Sequence, residues 1–209
     1  MKILMLLVAL VVVVLIGVIV RIGSPRGPRL ADVAHLREPH LATLAPQKVL
    51  LVTAKGDPNT VGKKAFGRLM RAYYALDGVP KGGPSFKPPR ARWPNAGGSP
   101  GEWTGLYAMP VPDSVTKMPP GDGKDGLEVA LATWEYGEVA EILHVGAYSA
   151  EEPTIARLKG FVSDQGYEVA GPHEEEYLRG PGMLFAGDPG GYLTLIRYQV
   201  RKSASAGAP

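Results

Sequence analysis

The order strand, helix, strand, strand is written twice along this chain, and it constrains the fold more than any other feature. The segments KVLLVTAKGDPNTVGKKAFGRLMRAYYALDG, from Lys48, and EVAEILHVGAYSAEEPTIARLKGFVSDQG, from Glu138, share a plan without close residue identity. Each opens on a β-branched run with strand character and passes through turn residues into a stretch with helical periodicity. Two βαββ pseudo-repeats predict an α+β fold with one antiparallel-rich sheet and both helices on one face. The cleft between the halves is then the expected place for a pocket.

In the first unit, Asp57 or Asn59 is the expected helix cap. Val61, Ala65, Leu69 and Tyr73 recur every four residues, Phe66 and Met70 lie beside them, and Gly78 stands where the helix would stop. Residues 78–101 are rich in Gly and Pro and predict a long loop, after which GEWTGLYAMPV reads as a strand. PPGDGKDG breaks the chain again before the strands LEVALATW and GEVAEILHVGAY. In the second unit Ser149 and Glu152 have the spacing of a capping box; Ile155, Leu158, Phe161 and Val162 form an apolar stripe, and Gly166 ends the helix. Strands near Glu174–Leu178 and Tyr192–Val200 close the unit.

Ahead of these units, Ile3 to Val20 carries no charged or polar side chain. At about 1.5 Å per residue a helix of this length crosses most of a roughly 30 Å hydrocarbon core. The run is longer than the apolar region of a signal peptide and ends in Val-Ile-Val-Arg, which favours an uncleaved single-pass anchor. Lys2 precedes it, whereas Arg21, Arg26 and Arg29 follow, so the positive-inside tendency places the remaining chain in the cytoplasm, with the extracytoplasmic side as the alternative. The predicted organisation is an anchor over 1–22, a Pro/Arg-rich spacer over 23–46, a binding domain over 47–200 and a disordered tail over 201–209.

The net charge of +3 is small and its carriers are dispersed, so no basic stripe argues for nucleic acid. Without cysteine, thiol nucleophiles and disulfides are excluded. No phosphate-binding glycine loop and no Gly-x-Ser-x-Gly elbow occurs. His144 and His173 lie far apart and His144 reads as an ordinary strand residue. Neither a metal nor another cofactor is expected from these spacings.

Alternation along GPHEEEYLRGP puts His173, Glu175 and Tyr177 on one face of a strand and Glu174, Glu176 and Leu178 on the other, without saying which is inside. The second unit resembles the GyrI-like small-molecule-binding family, related to the effector-binding domains of multidrug-responsive regulators. The residues that carry the resemblance are His144, Gly146 and Tyr148; Glu152, Pro153 and Thr154; His173, Glu175, Tyr177 and Leu178; and Thr194 with Arg197. It extends over roughly 48–200, more weakly in the first half. The resemblance implies that Glu175 points into the cleft, where relatives meet cationic aromatic ligands, and that Glu174 and Glu176 face outward. Trp103, Tyr107, Trp134, Tyr136, Tyr148 and Tyr177 are the rings available as pocket walls, each cation-π contact contributing about 0.5–2 kcal/mol. Two segments depart from the family pattern. YAMPVPDSV replaces a Pro-Leu-Glu-x-Leu-Trp strand, removing a second pocket acid and a Trp, and RGPGMLFAGDP replaces an Asp-Pro turn.

The expected function is therefore capture or sensing of hydrophobic aromatic or cationic small molecules by a membrane-anchored domain. With anchor and spacer filling the first 45 residues, no helix-turn-helix is expected and no direct nucleic-acid binding. The same resemblance carries an alternative, hydrolysis of electrophilic strained-ring compounds with Glu175 as general base held by Tyr177. A third reading is an inhibitor acting on a protein partner.

Overall fold

The computed structural model describes residues 10–17, 27–83, 85–95, 99–118, 126–182 and 186–204. Its sheet is built from β1 (His40–Leu44), β2 (Gln47–Lys55), β3 (Arg90–Trp93), β4 (Thr104–Pro110), β5 (Ala130–Trp134), β6 (Gly137–Val145), β7 (Tyr167–Val169), β8 (His173–Arg179) and β9 (Leu193–Lys202). The helices α1 (Pro58–Ala75) and α2 (Glu152–Asp164) each follow the first long strand of a unit. The strand order is β1-β6-β9-β8-β3-β4-β2-β5, with β7 added to β9, and every pairing is antiparallel.

The two units meet at the β3–β8 pair, where Ala91 stands opposite Glu175 and Trp93 opposite His173. Outward from this seam the halves mirror each other: β9 and β4, β6 and β2, β1 and β5. The outermost strands are exchanged. β1 runs into β2 through residues 45–46 alone but pairs with β6, and β5 runs into β6 through 135–136 but pairs with β2. In a flat sheet β1 and β2, and likewise β5 and β6, would lie six strand spacings apart, about 29 Å. Two linker residues reach only about 7 Å. The sheet must therefore curl until its ends approach, and Val49 of β2 and Val139 of β6 do pack in one cluster with Ala108, Trp134 and Tyr136 inside the curl.

Both helices lie on the opposite, outer face. α1 begins at Asp57, whose carboxylate accepts from the Asn59 amide at 2.9 Å, with Pro58 in the first turn where its missing N–H costs nothing. Its buried stripe of Ala65, Leu69, Ala72 and Tyr73 packs on Leu50, Val52 and Met109. α2 buries Leu158 and Val162 on Ala140, Ile142, Ile196 and Tyr198. Each helix thus covers the strands of its own unit, leaving the β3–β8 seam between them open to a groove.

Several expectations are corrected. The spacer contains β1 and two short helical turns, Leu30–Val33 and Ala34–Arg37. The loop over 78–101 contains β3, a strand that the surrounding Gly and Pro conceal. Ser149 makes no capping box: a 3-10 turn over Tyr148–Ala150 precedes α2, whose N-cap is Glu151. Arg201 and Lys202, expected in the tail, belong to β9 and pair with Glu168 and Tyr167, and residues 205–209 lie outside the described residues. Most of the anchor expected over Ile3 to Val20 lies outside the described residues. Within it, residues 10–17 are helical and exposed, and among the described residues no helix is long and apolar enough to cross a membrane.

Candidate functional site

Glu175 sits at the middle of the seam, on the face that alternation gives it, and its side chain is 12 % exposed. Three neighbours are positioned on its carboxylate. Trp93 Nε1 donates to Oε1 at 3.0 Å, Tyr177 Oη donates to Oε2 at 2.7 Å, and His173 Nε2 lies 3.0 Å from Oε1. Trp93 is there because β3 pairs with β8 in that register, and His173 because it lies two residues before Glu175 on the same face of β8. His173 is held from its other side, Nδ1 lying 2.9 Å from the Tyr198 hydroxyl.

Rings continue away from this carboxylate in edge contacts. Trp93 meets Tyr107 at 5.5 Å and Trp103 at 6.0 Å; Phe66 bridges Tyr107 and Tyr177; Tyr177 meets Tyr148 at 5.6 Å. Together they line a groove of about 2590 Å³ between α1 and α2. Gly105 makes the first of these contacts possible. A Cβ there would stand 2.5 Å from the Tyr107 ring and 2.9 Å from Trp93.

A second acid enters from α2. Glu151 is 5 % exposed, its side chain does not cap the helix, and its buried Oε1 has no hydrogen-bond partner among the described residues. Burial, and then the charge of Glu175, push its carboxyl up to about 9. The Tyr107 phenol is raised to about 12 by the same two causes in the same order, and burial first and Glu175 next also raise Tyr148 and Tyr177. These hydroxyls stay protonated. Glu151, His173 and Glu175 offer three ligand atoms within 4.8 Å of one another, a set able to hold a divalent cation that the sequence spacing of the histidines did not announce.

Of the rings expected as walls, Trp103, Tyr107, Tyr148 and Tyr177 come together with Glu175. Trp134 and Tyr136 do not. They lie inside the curl, where Arg92 stacks 4.1 Å from the Trp134 ring and Tyr136 donates to Glu174 at 2.9 Å. Glu174 and Glu176, expected to face outward, are buried there too. Arg92 donates to Glu174 at 2.6 Å, Arg90 lies 3.0 Å from Glu176, and Arg197 bonds Glu141, Glu174 and Glu176. A curled sheet has an inside on its second face, and charges placed there must be paired. His144 ties β6 to α2, with Nδ1 3.0 Å from Thr154 Oγ1.

Sequence reading missed Trp93, Phe66, Tyr198 and Glu151 as members of this site. Trp93 stands in the segment read as loop, and Glu151 was passed over for its neighbour Glu152.

No protein-family model and no curated protein matches the chain. Among solved structures it is similar to a hydrolase from Listeria innocua, with TM-score 0.66 and 22% identity over 82% of this chain and 98% of that one. It is also similar to an uncharacterized conserved protein from Listeria innocua, with TM-score 0.65 and 25% identity over 79% and 93%. A third similar structure is EcmrR in complex with DNA, with TM-score 0.61 and 15% identity over 83% and 65%. The likeness is one of fold, and the α+β architecture with its antiparallel sheet fits the GyrI-like fold.

Proposed function

We propose that this protein binds small lipophilic molecules, aromatic and cationic, in the groove over the β3–β8 seam. The observation that carries this reading is Glu175, a carboxylate anchored by three neighbours and set among Trp93, Tyr107, Tyr148 and Tyr177. A flat cation gains charge attraction from Glu175 and contact area with cation-π attraction from the rings. The apolar residues from Ile3 to Val20 hold the protein to a membrane in this reading, and the exposed, wholly apolar helical stretch 10–17 supports it. Because Trp93 and Trp103 are groove residues, saturable quenching of tryptophan fluorescence by a rhodamine-type dye tests the reading. Quenching that never saturates above a protein-free blank would sink it.

A second reading, hydrolysis of strained-ring electrophiles, is favoured by Glu151. A carboxyl pushed toward its protonated form beside one that accepts hydrogen bonds from Trp93 and Tyr177 supplies an acid and a base in one groove. The hydrolase from Listeria innocua shares only the fold at this identity. Turnover of an electrophilic panel that disappears in both Glu175→Gln and Glu151→Gln is the expected result, and turnover equal to that of both variants would reject it.

A further inference from the structure

The two groove carboxylates are not equivalent. Glu175 has donors on both oxygens, so a ligand near it gains charge attraction with little room for a new directed bond. Glu151 is the reverse. It is 95 % buried, being 5 % exposed, and its Oε1 lacks a partner among the described residues. Its position as N-cap of α2 offers backbone N–H groups, yet its side chain bonds to none of them and lines the groove instead. A buried acceptor without a donor costs free energy in the empty protein. A ligand that supplies the donor recovers it.

We propose that Glu151 Oε1 is the acceptor for an N–H group of the bound cation, so that the groove selects protonated amines and amidines over quaternary onium ions. This rests on the reading that the groove binds organic cations. The ring walls alone cannot make the distinction, since a permethylated cation offers them equal charge and more apolar area. A divalent metal on the same atoms fits less well. A metal would draw on Glu175 oxygens that already accept from Trp93 and Tyr177, whereas an N–H cation draws on Glu151 Oε1, which has no donor among the described residues.

The test is titration of the full chain with naphthylmethylammonium and with its N,N,N-trimethyl analogue, against a protein-free blank. The unaltered protein is expected to hold the primary ammonium at least tenfold more tightly. Glu151→Met, which removes the acceptor, should bring the two affinities within about twofold, and Glu151→Gln, which keeps a neutral carbonyl acceptor like that of the protonated acid, should retain the preference. Thermal unfolding of both variants controls for folding, and the midpoint of Glu151→Met should equal or exceed that of the unaltered chain, because a buried acceptor without a partner is removed. Equal binding of both ligands by the unaltered protein overturns the selection while leaving cation capture standing. Binding of neither overturns both. A preference that survives in Glu151→Met places N–H recognition elsewhere and overturns the proposal.

Discussion

Three consecutive glutamates in β8 meet two environments. Glu174 and Glu176 are clamped by Arg92, Arg90 and Arg197 inside the curl, while Glu175 faces the groove. Arg197 is the hub, since it bonds Glu141 as well, and removing it strands buried carboxylates. Arg197→Met is expected to cost about 3–5 kcal/mol in denaturant unfolding, the range for breaking a buried pair from one side. A loss below about 1 kcal/mol would mean that the cluster contributes little. Glu151 has the opposite character. Its folded-state value of about 9 lies above the ordinary 4.5, so the folded chain holds this proton more tightly than the unfolded one. Its contribution to stability is complete below about 4.5 and is lost as pH rises through about 9. Burial first, and then the charge of Glu175, keep the proton on. Unfolding curves from about pH 5 to 9 should therefore fall more steeply for the unaltered chain than for Glu151→Gln, by up to about 1.4 kcal/mol per pH unit. Parallel curves would contradict that assignment.

At the scale of elements, local chemistry explains what was legible. The α1 stripe of Ala65, Leu69 and Tyr73 and its cap at Asp57 were readable because period and cap are written in adjacent residues. Alternation put His173, Glu175 and Tyr177 on one face, as β8 does, but did not say which face meets the groove; that expectation came from the family resemblance. β3 and β7 were not readable: at four and three residues they show almost no period, and their stability comes from partners far away in sequence. Glu151 was hidden by a cap displaced by a 3-10 turn. Gly105 belongs to this scale as well, because β4 must leave its outer face bare there for the Tyr107 and Trp93 rings. Gly105→Ala is expected to displace those rings, lowering dye affinity about tenfold or more, about 1.4 kcal/mol. Unchanged affinity, measured by the same tryptophan quenching, would show that the rings do not shape the site.

The whole molecule is a pair of units joined at β3–β8 and closed by exchange of β1 and β5. The pairing of units was legible from their repeated order, but the curl was not. It follows from two-residue links between strands that lie far apart in the sheet order, and sequence alone does not say which strands pair. That is why Trp134 and Tyr136 were assigned to the wrong side, and why a strand face expected in solvent is a buried ion-pair network. The apolar N-terminal run adds a property of the full chain: it should float with phosphatidylcholine vesicles in a density gradient and stay with them in high salt. Recovery in the bottom fraction would contradict the anchor. The central claim is that a carboxylate in an aromatic groove captures a lipophilic cation. The most direct measurement is calorimetric titration of the full chain and its Glu175→Gln variant with a rhodamine-type dye. The account predicts at least tenfold weaker binding in the variant, about 1.4 kcal/mol, with unfolding still cooperative; equal affinity in the two proteins would contradict it.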